Sequence, residues 1–344
     1  MKRILLQPIS WLYGAAIGFR HLLYNEHLLP SHTTEVPTIC VGNLAMGGTG
    51  KTPMVEYLLR LLLANGYHPA VLSRGYKRRT SGFVMADDYA SVDSIGDEAM
   101  QLYRAFPEVP IAVCEDRVKG VRQLKRQVEN LDIVILDDAL QHRAIRSGMV
   151  VLLTPYDKLY IDDFLLPMGT LRDLPSRALK ADAVVVTKCP EEMQPIDMRV
   201  VNNRLKLPSY QQLHFAGIRY AEMEQEGNPL VLCGIAQPKY MMDYVLKRYP
   251  DAELMAYPDH YRYRPQDIDK IVERAKDFDF VLTTEKDIQR LRTTPLVDAL
   301  RQQGKRLIAL PIRTCFYPSS EAFDRQILQY VRENTKQRPA AKQQ

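Results

Sequence analysis

Several features are missing from this chain of 344 residues, and each absence narrows what it can do. Its five cysteines, at 40, 114, 189, 233 and 315, are odd in number, widely spaced and without a C-x-x-C pair. Neither a disulfide framework nor a zinc site is indicated, and most fall in strand-like runs where a thiol serves as a small buried hydrophobe. Strong charge imbalance is absent too: 46 basic against 41 acidic residues leave +5, too little to imply a nucleic-acid partner. The uncharged run from Ile4 to Phe19 holds 16 residues, with Gln7, Pro8 and Ser10 among them. That is short of the ~20 apolar residues that span a bilayer. With 46% hydrophobic content, the chain is long enough for two globular domains of about 150 residues each.

What is present is a glycine-rich stretch, I-C-V-G-N-L-A-M-G-G-T-G-K-T-P-M-V, from Ile39 to Val55. An apolar run, a loop ending in Gly50-Lys51-Thr52 and a helical pattern (Met54, Val55, Leu58, Leu59, Leu62) give strand, phosphate loop, helix. Gly47, Gly48 and Gly50 free the backbone so that successive N–H groups, Thr49's included, can face an anion. Lys51 would reach the β- and γ-phosphates of a nucleoside triphosphate and the Thr52 hydroxyl would ligate Mg²⁺, with the helix N-terminus adding positive potential. Two residues are missing from related patterns. Ala45 stands where G-x-x-x-x-G-K-[ST] has its first glycine, and Met46 stands where dimer-switching ATPases carry a lysine before the two glycines. A switch ATPase is therefore disfavoured.

The N-terminal segment reads as a helix on a membrane surface. Leu5, Leu12, Ala16, Phe19 and Leu23 share one face, Trp11 and Tyr13 flank it, and Lys2, Arg3 and Arg20 bracket the run. An amphipathic helix packed on the core is the other reading. After a short strand at 70–72, Arg74, Lys77, Arg78 and Arg79 line a loop at the edge where open α/β sheets bind ligands, either as phosphate contacts or as a solvated basic loop. Asp97 and Glu98 open a helix, as capping residues or as catalytic acids. The strand Asp132–Leu136 ends in Asp137-Asp138-Ala139-Leu140-Gln141-His142, and acids there suit a Mg²⁺–ATP site. Thr187-Lys188 resembles the N-K-x-D guanine motif, but Pro190 replaces the acid, so guanine specificity is unsupported.

Alternation of strand and helix predicts a doubly wound, mostly parallel P-loop NTPase-type α/β sheet over 25–210, after the helix of 1–24. A smaller α/β lobe is expected over 211–334, including strands at 211–220 and 306–312. The Gln-, Lys- and Arg-rich tail 335–344 is expected to be disordered. Asp259-His260-Tyr261 and Thr284-Glu285-Lys286-Asp287 fall in strand-end loops of the smaller lobe.

In order and spacing, these motifs resemble the tetraacyldisaccharide 4'-kinases of lipid A and lipopolysaccharide biosynthesis. They are Val41-Gly42-Asn43-Leu44 before the phosphate loop, Ser73-Arg74-Gly75-Tyr76, Gly96-Asp97-Glu98, Asp137-Asp138 with Gln141-His142, Asp259-His260-Tyr261 and Thr284-Glu285-Lys286-Asp287. Ala139 and Leu140 replace the glycine and aromatic of the family's D-D-G-F-Q-H form. The resemblance implies a kinase on the cytoplasmic face of the bacterial inner membrane. It would use ATP and Mg²⁺ to phosphorylate the 4'-hydroxyl of a tetraacylated glucosamine disaccharide 1-phosphate, with no protein partner implied. It further implies a β linker joining the smaller lobe to the first, Lys51 and Thr52 on phosphates and metal, Asp138, Asp137 and Glu98 in the metal shell, and Asp97 as general base oriented by His260. Arg74, Tyr76 and Arg172 would be substrate contacts. The rival readings are a soluble P-loop small-molecule kinase or NTPase, and a nucleotide-timed assembly protein.

Overall fold

The structure is a computed structural model that describes residues 6 to 335 apart from 236 and 260. In chain order its first part comprises α1 (Gln7–Asn25), β1 (Thr38–Asn43), α2 (Lys51–Ala64), β2 (Pro69–Ser73), β3 (Val84–Met85), α3 (Val92–Ile95), α4 (Asp97–Ala105), β4 (Ile111–Val113), α5 (Arg117–Gln127), β5 (Ile133–Asp137), β6 (Met149–Pro155), β7 (Ala183–Thr187) and α6 (Pro195–Leu205). The remainder comprises β8 (Gln212–Tyr220), β9 (Pro229–Cys233), α7 (Lys239–Arg248), β10 (Glu253–Ala256), α8 (Pro265–Ala275), β11 (Phe280–Thr284), α9 (Asp287–Leu291), α10 (Leu296–Gln302), β12 (Leu307–Leu310), β13 (Ile312–Tyr317) and α11 (Glu321–Thr335).

Nine strands form one sheet in the order β13-β8-β7-β6-β1-β5-β2-β4-β3, parallel from β8 to β4 and antiparallel at both edges. Alternate residues of β1 divide between two cores. Ile39 and Val41 join α2 (Met54, Leu58, Leu62), α4 (Leu102) and α11 (Phe323, Ile327), whereas Cys40 joins α5 (Val118, Leu124) and α6 (Val201). Helices therefore cover both faces, which is why the central strands are apolar throughout. Truncating a fully buried side chain here, such as Leu58→Ala, should cost about 2–5 kcal/mol. Four cysteines are buried and Cys315 is half-buried.

The chain leaves β1 for β2 on one side and reaches β6 on the other, so β1 lies where the strand order turns. Ligands of open α/β sheets bind beyond the carboxyl ends of strands at that point.

A second, wholly parallel sheet has the order β10-β9-β11-β12 and sits between α7 on one face and α8 with α10 on the other. The stretch 306–312, expected as one strand, is two. β12 ends the small sheet at Leu310, Pro311 follows, and β13 pairs with β8 in the large sheet. The strand expected at 211–220 is β8, and it runs parallel to β7. Strands β8 and β13 thus carry the chain out to the small sheet and back. Of the tail expected from 335, Thr335 ends α11 and the rest lies outside the described residues, as do Lys2, Arg3 and Leu5.

Candidate active site

β1 ends in Asn43, whose side chain is buried. Its Nδ2 donates to the Ala45 carbonyl at 2.7 Å, and Lys51 Nζ donates to its Oδ1 at 3.3 Å. The loop then turns through Gly47 (φ +107°) and Gly50 (φ +89°), left-handed conformations that a Cβ disfavours, and Gly50 caps α2. A methyl group added to Gly47 or Gly48 would touch nothing within 4 Å, so these backbones border open space. Thr187 Oγ1 donates to the Thr49 carbonyl at 2.8 Å, tying the loop to β7. The Thr49 hydroxyl is itself buried without a hydrogen-bond partner. Gly42 serves another purpose: a Cβ there would meet Leu140 Cβ at 2.6 Å, so the bare backbone lets the β5 loop close over β1.

That closure brings Asp137 and Asp138 beside Lys51, with Val41 of β1 in register with Asp137. Asp138 adopts φ +52°, a left-handed conformation that aspartate tolerates better than most residues. Its carboxylate lies 3.9 Å from Lys51 Nζ and takes both terminal nitrogens of Arg172, one at 2.9 Å. Burial pushes this carboxyl upward, but Lys51, the Arg172 bonds and Arg117 outweigh it and hold it below the usual carboxylate range. Asp137 is the opposite case. Burial, and next the charges of Glu98 and Asp138, push it up to about 7 against the pull of Lys51 and Arg117. Its Oδ1 is buried with no hydrogen-bond partner.

Asp97 and Glu98 begin α4, and their counter-ions come from the small sheet's side. Arg290 Nη2 lies 3.4 Å from Asp97 Oδ2, and Lys286 Nζ lies 3.6 Å from Glu98 Oε1 and 3.2 Å from Asp259 Oδ1. His260 lies outside the described residues, between Asp259 and Tyr261. Arg74 is exposed at the end of β2, near enough to Arg117 and His142 to depress both, after burial as the larger cause in each. The Tyr76 ring is exposed with Lys77 Nζ 5.6 Å from its centre, while its carbonyl lies where a Cβ on Gly96 would come within 3.0 Å.

α1 lies against the loop that carries Arg172. Ser10 Oγ donates to the Leu165 carbonyl at 3.0 Å, Tyr13 OH to the Arg172 carbonyl at 3.2 Å, and His21 Nε2 pairs with Asp173 Oδ1 at 2.6 Å. The same loop is strapped to the phosphate loop by Arg172 N to Leu44 O (2.8 Å) and Met46 N to Thr170 O (2.7 Å). The opposite side of α1 is uncovered: Trp11, Leu12 and Phe19 are 67%, 73% and 62% exposed. Tyr13, expected to flank that apolar face, is turned inward by its bond to Arg172. Among the described residues no helix is long and apolar enough to cross a membrane.

A family profile described as tetraacyldisaccharide-1-P 4'-kinase matches residues 2–332. The chain belongs to this kinase family. It is 41% identical to a protein of Flavobacterium johnsoniae named tetraacyldisaccharide 4'-kinase, over 97% of this chain and 98% of that one. A protein of the same name from Bacteroides thetaiotaomicron is 40% identical over 96% and 94%. The crystal structure of LpxK from Aquifex aeolicus in complex with ATP superposes with a TM-score of 0.73 at 27% identity, covering 96% of this chain and 100% of that one.

For a tetraacyldisaccharide-1-P 4'-kinase the donor set suits ATP with Mg²⁺. The orphaned Asp137 oxygen beside Asp138 offers hard oxygen ligands, and Mg²⁺ takes one or two carboxylates together with phosphate and water oxygens. Among the described residues no group of three or more His, Cys, Asp or Glu could form a protein-only metal cage.

Sequence reasoning missed three residues of this kinase site. Arg117 is buried below the β5 loop, donating to the Cys114 carbonyl at 3.1 Å. Asn43 braces both Lys51 and Arg172. Arg290 reaches Asp97. Only Asn43 carried a signal, its place before the phosphate loop.

Proposed function

We infer that this chain transfers the γ-phosphoryl of ATP to the 4'-hydroxyl of a tetraacylated glucosamine disaccharide 1-phosphate, in lipid A biosynthesis at the cytoplasmic face of the bacterial inner membrane. The observation that carries this reading is the convergence of three acids, Glu98, Asp137 and Asp138, with Lys51 beyond the carboxyl ends of β1 and β5, Asp97 preceding Glu98 at the start of α4. The α1 face bearing Trp11, Leu12 and Phe19 supports a membrane-held acceptor, because exposed aromatic and aliphatic side chains on a helix of this length suit an interface.

Roles follow from position. The backbone of Gly47 to Gly50 and Lys51 hold the donor phosphates, while Thr52, Asp138, Asp137 and Glu98 hold the metal or its water shell. Mg²⁺ held by these residues would supply neutralisation of the charge that develops during transfer. Asp97 accepts the hydroxyl proton, and the likeness to the kinase family assigns His260 the task of orienting it. The sugar oxygen bonds to the γ-phosphorus, the bond from that phosphorus to the β,γ-bridging oxygen breaks, and ADP leaves. A sugar hydroxyl is too weak an acid to ionise at neutral pH, but a loose transition state needs only a positioned carboxylate to take the proton late. Arg172 acts on substrate by holding Asp138, and Arg74 and Tyr76, at the rim, contact it. Strands β8 and β13, between the phosphate-loop unit and the smaller one, permit closure, which would limit futile ATP hydrolysis.

The test is incubation of purified protein with ATP, Mg²⁺ and the acylated disaccharide 1-phosphate, followed by product mass. A gain of one phosphoryl group at the 4'-position is expected. ADP release with an unmodified lipid would leave only a soluble NTPase or a kinase of some other acceptor.

A further inference from the structure

The cations over Asp97 and Glu98 lie far along the chain from them, and Arg290 is held in an unusual way. It leaves α9, where the i,i+3 spacing puts it on the same face as Asp287. Asp287 is fully buried and fixed: Gly234 N and Thr284 Oγ1 both donate to its Oδ2 at 2.8 Å. Its Oδ1 lies 3.0 Å from Arg290 Nη2, and Arg290 Nη1 donates to the Tyr261 carbonyl at 3.0 Å. With this one hydrogen bond and one ion pair in the smaller unit, the guanidinium is placed before it meets Asp97 at 3.4 Å, and its Nη2 touches both carboxylates as an ion pair without a hydrogen bond. Asp97 Oδ1 meanwhile accepts from Glu98 N at 3.0 Å, so its two oxygens have separate fixed neighbours, one from each unit.

We propose that Arg290 is a positioning residue for Asp97: seated on Asp287 and the Tyr261 carbonyl, it fixes the carboxylate that takes the acceptor's proton and makes turnover depend on docking of the smaller unit. The inference rests on Asp97 being the base. One guanidinium shared by two carboxylates neutralises Asp287 at the shorter contact and orients Asp97 at the longer one, leaving Asp97 able to accept a proton. Lys286 acts likewise on Glu98 from the same loop, as a weaker point-charge contact at 3.6 Å. The Thr284-Glu285-Lys286-Asp287 motif thereby has a use: Thr284 and Asp287 build the seat, and Lys286 and Arg290 reach across.

The experiment is a double-mutant cycle on the full-length kinase, using Arg290→Met, Arg290→Lys, Asp97→Asn and the two double variants, with kcat, both KM values, ATP Kd and Tm measured for each. Arg290→Met should lower kcat on the order of 100-fold, the scale of loss for a misplaced catalytic group, with ATP Kd nearly unchanged. Arg290→Lys should recover about tenfold of that, because it keeps the charge and loses the fork. On an Asp97→Asn background, Arg290→Met should cost less than about threefold more, since residues acting as a unit are not additive. A loss that multiplies fully onto Asp97→Asn would overturn the proposal, as would one tracking Tm with no rescue by lysine. If Arg290→Met does not fold, the Arg290→Lys cycle gives the same coupling. Wild-type turnover in Asp97→Asn alone would instead remove the base assignment, an outcome separate from Arg290's own.

Discussion

Two acidic corners of the site are built in opposite ways. Asp137 and Asp138 stand at the end of β5, and their charges are answered within the phosphate-loop unit by Lys51, Arg117 and Arg172. Asp97 and Glu98 open α4 of the same unit, yet Arg290 and Lys286 come from the other side of the β8–β13 connection. The donor corner's β5 acids are therefore answered within one unit, whereas Asp97, and Glu98 at the edge of the metal shell, meet their cations only where the two units touch. Nucleotide binding rests mainly on the first corner. A kinase that must spare ATP until its acceptor arrives gains from the second.

The largest effect that could break this contrast is at the base. Asp97→Ala should reduce kcat about 10³-fold, within the usual range for general-base loss, and leave ATP binding within about threefold. Parallel rapid-quench turnover and equilibrium ATP titration would show it. If both fell together, the corners would not be independent. Lys51→Met should do the reverse: ATP affinity should fall about 10- to 100-fold, as expected for charge-assisted hydrogen bonds of about 1.5–3 kcal/mol, with lipid acceptor binding preserved. Isothermal titration with nucleotide, and flotation with acceptor-loaded vesicles, separate the two.

The same contrast explains what was legible in the sequence. The phosphate loop, α4 and the β5 acids are local patterns, in which a strand, a turn and a helix start follow one another, and all appear where the motifs put them. Arg290 gave no sign, because its partner is set by tertiary docking and an arginine in a short amphipathic helix reads as surface. Arg117 was hidden likewise, since it follows the α5 cap Asp116 and is buried only because the chain ends leaving β4 and β5, on either side of β2, turn their carbonyls toward it. The strand at 306–312 was misread as one because its apolar content is continuous. What divides it is Pro311, which lacks the N–H that a ladder needs, at the point where the chain changes sheets.

A smaller effect tests the acceptor side from the outside. Replacing Trp11, Leu12 and Phe19 together by serine removes exposed apolar surface from α1 without touching Ser10, Tyr13 or His21, which seat it on the Arg172 loop. Vesicle binding should weaken roughly 100- to 1,000-fold, at about 1 to 1.5 kcal/mol for each large side chain withdrawn from the interface, while kcat on a detergent-dispersed acceptor stays within about threefold. Equal losses in both assays would mean that α1 acts on the chemistry through Arg172 as well as on membrane capture.

The smallest expected effect lies inside the donor corner, where adjacent acids should respond to pH with opposite signs. Burial, then the charges of Glu98 and Asp138, push Asp137 up to about 7 in the folded protein, from an ordinary aspartate value of 3.8. Between those values the folded state holds a proton that the unfolded chain has released, so this residue's contribution to stability falls as pH rises through the window and stays low above it. Asp138 is held below its usual range by Lys51, Arg172 and Arg117 against burial, so it contributes stability above the unfolded value and loses it in acid. Without nucleotide, the Tm of Asp137→Asn minus that of wild type should therefore climb by a few degrees from about pH 4 to pH 7 and then level off. The corresponding difference for Asp138→Asn should fall as pH rises out of acid. Because each test is a slope, a constant cost of the buried amide cancels. If both variants sloped the same way, the two acids would share one electrostatic environment, and the division between an orphaned Asp137 and an arginine-held Asp138 would be wrong.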